Sequence, residues 1–136
     1  MATDSTPQHV VFALRGEEYA LGIEQVHEII HYDEPRPIAG SDPAVRGVIS
    51  VRGMIVPLFD LAVRLGLDPT LVEEGTRVIV MDSGEEVVGA IVDQVREVIA
   101  VDAEGLASRG AVLVDAAWVG GAARSSTPAK VSAAVA

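Results

Sequence analysis

The stretch Arg46-Gly47-Val48-Ile49-Ser50-Val51-Arg52-Gly53-Met54-Ile55-Val56-Pro57-Leu58-Phe59-Asp60-Leu61 decides the fold. It contains two mainly apolar runs, 48–51 and 54–59, separated by two residues, which is the length at which a β-hairpin closes directly. We expect Gly53 to have a positive φ, because only glycine avoids the Cβ clash there. Arg52 is then predicted to lie at the exposed tip of a stiff hairpin, where its charge is available to another protein.

Similar short strands follow one another along the rest of the chain. We predict a first hairpin from His9–Leu14 and Tyr19–Ile23, and another from Thr76–Met81 and Val87–Val92. Further short strands are predicted at Val98–Val101 and Ala111–Val114. Short strands at this spacing, separated by glycine-containing turns, indicate an all-β protein built from small barrels.

The sequence also predicts how the hairpin ends and how the domain is delimited. Pro57 has no N–H group, so we expect the second strand to be an edge or to bend at that point. Asp60 can cap one short helix, 61–65, ended by Gly66. We expect residues 1–8 to be disordered, 9–119 to form the folded domain as two sub-barrels, and 120–136 to be a flexible alanine-rich tail.

Composition limits the possible partners. With 136 residues and 49% hydrophobic residues, the chain can form one domain, or two very small lobes that share a core. A net charge of −10 argues against nucleic acid or an anionic membrane as the partner, since both need clustered basic residues. Four arginines, at positions 36, 46, 52 and 64, lie in a region whose only acids are Asp42 and Asp60. This local excess of positive charge could suit an acidic protein partner.

Several classes of site and location are not expected. The chain has no cysteine, which excludes disulfides and thiol chemistry. The first residues show no basic segment followed by an apolar one, so we expect no signal peptide. Charged residues interrupt every apolar run before it reaches the length of a membrane helix, so we expect a cytoplasmic protein without membrane insertion.

The segment Ile23–His31 carries a competing signal. Its apolar residues have helical spacing, although the second half could equally be a strand. On a helix, His27, Glu28 and His31 would match His-Glu-x-x-His, in which two histidines bind Zn²⁺ and the glutamate activates water. A small zinc hydrolase is therefore an alternative. No further histidine stands where the longer form of this motif has its third ligand, and we predict no metal, no cofactor and no catalytic residue.

The order of several motifs resembles the CheW family of chemotaxis coupling proteins. Besides the central hairpin with its Arg-Gly tip and Ile-Val-Pro, the likeness includes Val-Phe-Ala-Leu-Arg-Gly-Glu-Glu-Tyr-Ala-Leu-Gly-Ile, which begins at Val11, and the sequences around Val26, Val78–Val80 and Val88–Val95. It extends from about His9 to Val101. The fold that this resemblance implies is two intertwined SH3-like β-barrels of five strands each, with a groove between them.

The resemblance also implies a function and a set of partners. Family members are non-catalytic adaptors that join the cytoplasmic tips of chemoreceptors to the regulatory domain of the histidine kinase CheA, in arrays at the membrane. The residues here that match the family's partner-contact positions are Val26, Glu28, Gly47 and Arg52. Each also has an ordinary structural interpretation. These are core packing for Val26, a solvated charge for Glu28, a backbone requirement for Gly47 and a turn position for Arg52.

One departure from the family pattern affects the second barrel. After the segment that matches Val98 to Leu106, family members usually have a loop and strand of some twenty or more residues, whereas this chain continues almost directly to the strand at Val112. We predict either a trimmed second barrel or pairing of the exposed strand edge with a partner or a second copy. A diverged adaptor of another motility or developmental system is a further alternative.

Overall fold

The computed structural model of the protein describes residues 6–40 and 42–120, and within them the chain is mainly β-structure. The strands are β1 Gln8–Leu14, β2 Glu17–Gly22, β3 Val26–His31, β4 Val45–Val51, β5 Met54–Asp60, β6 Arg77–Asp82, β7 Val87–Val92, β8 Gln94–Ala100 and β9 Val112–Val114. The helices are α1 Leu61–Arg64, α2 Ala103–Ser108 and α3 Ala116–Val119, with a 3₁₀ turn at Ile23–Gln25. Helix α1 lies where the short helix 61–65 was predicted. Of the predicted disordered start, residues 1–5 lie outside the described residues, whereas Gln8 begins β1. The predicted flexible tail lies outside them from residue 121 onwards.

The strands form two sheets, which we call the first and second lobes. The first lobe has four strands in the order β8-β1-β2-β9, and the second has five in the order β3-β6-β7-β5-β4. Two pairs, β2 with β9 and β5 with β7, are parallel and the others are antiparallel. The chain begins in the first lobe, builds the whole second lobe, and returns to the first. The prediction of an all-β protein made of two barrel-like units is confirmed.

A shared apolar cluster joins the two lobes. On β1, Val10, Phe12 and Leu14 lie in this interlobe core, while Val11 between them points into a separate core of the first lobe. On β6, Ile79 and Met81 join the interlobe core and their neighbours Val78 and Val80 fill the core of the second lobe. These strands are thus buried on both faces, which explains why their sequences are continuous apolar runs and not alternating ones.

The central hairpin forms as predicted, with a two-residue turn between β4 and β5. Arg52 has φ 51° and Gly53 has φ 84°, so both turn residues are left-handed, as a type I′ turn requires. Opposite Pro57 lies Val48, whose N–H and C=O both bond to the backbone of Arg36. The β5–β7 pairing begins only at Leu58. From Met54 to Pro57, β5 therefore pairs with β4 alone, and Pro57 is the last residue of this edge segment.

Among the described residues the first lobe has four strands, one fewer than the resemblance implies for each barrel, and the trimmed barrel stays a prediction. Its edge strand β9 has three residues, and β8 has β1 as its one neighbour in the sheet. Helix α2 packs against this lobe: Leu106 is buried with Val11, Ala20 and Ala111. None of the helices in the described ranges has the length and apolar character needed to cross a membrane.

Candidate protein-binding site

Arg52 and Glu28, two of the predicted contact residues, form an ion pair. Arg52 Nε donates to Glu28 Oε2 over 2.8 Å, and Arg52 Nη2 donates to Oε1 over 3.3 Å. The Arg52 side chain is 79% exposed and that of Glu28 is 25% exposed. The hydrogen bond from Arg52 lowers the pKa of Glu28, and the same bond raises the pKa of Arg52. The guanidinium does lie at an exposed hairpin tip, but a carboxylate of the same chain neutralises it.

This pair spans the two edges of the second lobe. Glu28 is on β3 and Arg52 directly follows β4, and these strands are at opposite ends of the five-strand order. Their contact shows that the sheet curls until its edges approach each other. A second link closes the same gap, because Arg36, in the loop after β3, pairs with Val48 on β4. The sheet is therefore barrel-like, and the ion pair lies on its seam.

Gly47 is constrained by the backbone around it. Its φ is 143°, and a Cβ added there would overlap the carbonyl oxygen of Arg36. Arg36 N donates to Val48 O over 2.8 Å and Val48 N donates to Arg36 O over 2.9 Å, so this crossing of two chain segments is fixed. The structural requirement accounts for a glycine at this position without any partner.

Val26 lies at the start of β3, opposite Met81. It is half-buried and packs against the interlobe core. The structure thus brings Glu28 and Arg52 into direct contact, while Val26 is near Glu28 on the same strand and Gly47 lies at the far end of β4 from the tip. The four predicted residues do not form one compact cluster.

The segment 23–31 is not the helix that a zinc site would need. After the 3₁₀ turn, the residues from Val26 to His31 form strand β3, and both His27 and His31 are exposed. Four residues of extended chain span about 13 Å, too far for two imidazoles to hold one zinc ion at its usual bond length. No three His, Asp or Glu side chains in the described part of the chain are arranged to bind a metal ion. The helical interpretation of the motif is wrong.

The predicted positive region is largely neutralised by ion pairs. Arg46 donates to the buried Asp60 over 2.6 Å, and Arg64 contacts Asp42 over 3.1 Å while stacking on the Phe59 ring. Asp60 also accepts hydrogen bonds from Thr70 and Ala62 and so anchors the loop after α1. Of the four arginines in this region, Arg36 alone has no partner for its side chain among the described residues. The sequence alone does not distinguish Arg36 from the other three arginines, because their ion-pair partners are set by the fold.

Comparison with known proteins identifies the family. The model of the CheW-like domain family matches residues 8–127. Chemotaxis protein CheW of Klebsiella aerogenes is 39% identical over 97 residues, which cover 71% of this chain and 58% of that protein. Chemotaxis protein CheW of Bacillus subtilis is 37% identical over 92 residues, covering 68% of this chain and 59% of that protein. The chain thus spans less than two thirds of the length of these relatives.

A solved structure agrees with the sequence comparisons. The crystal structure of the scaffolding protein TtCheW from Thermoanaerobacter tengcongensis superimposes with a TM-score of 0.67 at 34% identity. The superposition covers 71% of this chain and 66% of that one. The chain belongs to the CheW-like domain family.

Proposed function

We propose that this protein is a coupling adaptor that binds the cytoplasmic tip of a chemoreceptor and the regulatory domain of the histidine kinase CheA, and that it performs no catalysis. The observation that carries this proposal is the family match from residue 8 to 127, which includes the Arg52-Gly53 hairpin tip. In this function the protein works in the cytoplasm and is held at receptor arrays by protein contacts.

The surface of the molecule supports binding by preformed elements. The two-residue turn holds Arg52 in one backbone conformation, and the ion pair with Glu28 restrains its side chain. Because these groups are ordered before a partner arrives, a partner loses less conformational entropy on docking against them. A partner that contacts the seam of the second lobe would meet the outer face of this pair.

Binding measurements with two purified fragments test the proposal. We expect the protein to bind both a chemoreceptor tip fragment and the kinase regulatory domain in isothermal titration calorimetry. Arg52→Ala should weaken at least one of these interactions while leaving the melting curve nearly unchanged, because the side chain is mostly exposed. Arg77→Ala is the matched control, since that guanidinium bonds only to the backbone carbonyls of Glu74 and Thr76.

A charge swap separates a direct contact from a structural role. The double variant Glu28→Arg with Arg52→Glu keeps two opposite charges at the seam but exchanges their positions. If the Arg52 guanidinium contacts the partner, the swapped protein binds as weakly as Arg52→Ala; normal binding by the swapped protein would assign the pair a structural role. A protein that binds neither fragment contradicts the proposed function, and binding to a receptor of another motility system alone would make it a diverged adaptor.

A further inference from the structure

The loop after α1 contains an exposed segment, residues 67–72, which we call the strap. It has no helix or strand, and Thr70 is the one residue in it that is buried. Its apolar side chains are largely exposed: Leu67 is 38% exposed, Leu71 78% and Val72 48%. In the described part of the chain, none of these three side chains belongs to a buried apolar cluster. The strap is therefore not held to the molecule by apolar packing.

Polar contacts of Thr70 hold the strap to the second lobe. Thr70 is 4% exposed, and Asp60, which ends β5, is fully buried. The backbone N–H of Thr70 donates to Asp60 Oδ2 over 2.9 Å, and its hydroxyl donates to Asp60 Oδ1 over 2.9 Å. One carboxylate of the second lobe thus accepts both of these bonds from the middle of the strap.

A second set of polar contacts holds the strap to the first lobe. Arg15 lies in the turn between β1 and β2, and its Nη2 donates to the carbonyl oxygens of Asp68 and Pro69, the latter over 2.8 Å. The turn itself is fixed, because Arg15 N donates to Asp93 Oδ2 over 2.7 Å. A first-lobe guanidinium therefore bonds to the two strap residues that precede Thr70, and the strap is attached to both lobes at adjacent positions.

Release of these contacts leaves the Asp60 carboxylate paired. Asp60 keeps its ion pair with Arg46, of 2.6 Å, and the hydrogen bond from Ala62 N, of 3.2 Å. The guanidinium of Arg15 and the carbonyl groups that it contacts are at the surface, so bonds to water can replace these contacts. Opening of the strap therefore requires less free energy than unfolding of either lobe, whose strands are held by buried apolar side chains.

The two ends of the strap are suited to act as hinges. Gly66, directly before it, has φ 85°. Directly after it, Glu73 and Thr76 form a closed turn, in which Thr76 N donates to Glu73 O over 3.1 Å and Glu73 N donates to Thr76 Oγ1 over 2.8 Å. Beside the strap lies an open groove of about 370 Å³, lined by residues of the strap, the β1–β2 turn and the start of β8. The strap can therefore move between two fixed ends without displacing a strand.

We propose that the strap opens and closes as a unit at the junction of the two lobes while both lobes stay folded, with the contacts of Arg15 and Thr70 as its two anchors. The structure shows the closed state. Opening removes Thr70 from the Asp60 carboxylate and frees the Arg15 guanidinium, so it changes the charge that the junction presents. This conformational change does not depend on the coupling function.

Hydrogen exchange measured by NMR on the full chain tests the proposal, because the Thr70 amide bonds to Asp60 in the closed state. We expect this amide to exchange faster than the amides of β6 and with little dependence on low urea concentrations, since local opening exposes little surface. Arg15→Ala should speed exchange at Thr70 roughly fivefold or more and leave the protection of β6 unchanged. Thr70→Val, which removes the hydroxyl and keeps the amide and the side-chain shape, should have a similar effect.

Arg52→Ala is the matched control. Arg52 is also the first residue of an Arg-Gly turn, with φ of 51° against 53° for Arg15, so both substitutions place alanine in the same left-handed conformation. Arg52 bonds to Glu28 on β3 and not to the strap. Exchange at Thr70 should therefore stay the same in this variant.

Several results would overturn the proposal. If Thr70 in the unmodified protein exchanges with the same urea dependence as β6, the strap opens only when the protein unfolds. Unchanged exchange at Thr70 in either Arg15→Ala or Thr70→Val would show that the contacts are not anchors. Equal acceleration at Thr70 and β6, or an equal effect of Arg52→Ala, would show that the substitutions act on the whole fold. The first result needs no variant, so it decides the matter even where a variant does not fold.

Discussion

Two hairpin turns in this protein have the same sequence, Arg-Gly, but their arginine side chains make different contacts. Arg15-Gly16 and Arg52-Gly53 both form two-residue hairpin turns, with φ of 53° and 83° in the first and 51° and 84° in the second. Arg15 folds back and donates to carbonyl groups of the loop after α1. Arg52 instead remains exposed at the seam, paired with Glu28. The turn type follows from the local sequence, but the role of the arginine depends on what the fold places nearby.

At the residue scale, Gly47 and Gly53 should respond differently to the same substitution. Gly47→Ala adds a Cβ that overlaps the Arg36 carbonyl oxygen, and we expect it to lower the free energy of unfolding by roughly 2 kcal/mol or more. Gly53→Ala meets no atom within 4 Å, so its cost should be limited to left-handed strain of about 1 kcal/mol. Urea denaturation of both variants measures the difference.

Equal costs at the two positions would contradict the steric explanation for Gly47. A Gly47→Ala protein with normal stability that no longer binds either fragment would instead support the partner-contact role that the family resemblance implies. The two roles of Gly47 are therefore distinguishable in one variant.

At the scale of elements, the sequence predicts strands well where the pattern is local. The hairpins β1–β2, β4–β5 and β6–β7 were all predictable, because each has two apolar runs and a turn. Strand β3 was ambiguous: Ile23, Val26, Ile29 and Ile30 have helical spacing, yet β3 pairs with β6 over most of its length. That pairing partner is about fifty residues away, so tertiary contacts decide the structure. The Arg52–Glu28 ion pair could not be predicted from the sequence for the same reason, because its two residues are 24 positions apart.

Helix α2 covers part of the first lobe. Leu106 of this helix is buried. Arg109, directly after the helix, donates to Glu18 on β2 over 3.0 Å and to Glu97 on β8 over 2.7 Å. Arg96 adds a longer contact to Glu18, of 3.6 Å. These contacts connect β2 and β8, which both pair with β1 but not with each other in the described sheet. The helix was not predicted, because six residues with one buried apolar side chain show no periodicity.

Removing the Arg109 guanidinium should loosen the first lobe locally. We expect Arg109→Ala to increase amide hydrogen exchange in β8 and β9 and to leave the second lobe protected. The change in global stability should stay near or below about 1 kcal/mol, since the pairs are partly exposed. Hydrogen exchange followed by mass spectrometry measures this, with Arg77→Ala as the control. Unchanged exchange in β8 would show that the ion pairs do not hold the edge.

At the scale of the whole molecule, the interlobe core makes the two lobes interdependent. The sequence predicted two small lobes that share a core, but not which residues they share, because strands buried on both faces show no alternation. In the structure, Phe12 and Leu14 from the first lobe belong to the same buried cluster as Phe59, Met81 and Val92 from the second. Neither lobe could therefore bury its apolar surface fully without the other.

A substitution in the interlobe core tests this interdependence. Phe12 is 1% exposed and its ring stacks on Tyr19 with the centroids 5.9 Å apart; Phe12→Ala should cost about 3–5 kcal/mol in unfolding free energy. Because the lobes share the cluster, we expect a single transition in which the fluorescence of the buried Trp118 and the hydrogen-exchange protection of β2 and β4 are lost together. Leu71→Ala, at a residue that is 78% exposed, is the control and should change stability by no more than about 0.5 kcal/mol.

Leu106→Ala provides the stricter test, because this side chain lies in the core of the first lobe alone. If the lobes unfold as one unit, the substitution lowers the protection of β2 and β4 by the same free energy, even though β4 contributes no residue to the altered core. If β4 retains its original protection while β2 exchanges faster, the lobes are separate folding units and the interlobe core does not couple them. A coupled pair would also mean that a partner bound at the seam of the second lobe stabilises the first lobe, since binding to the folded state stabilises every element that unfolds with it.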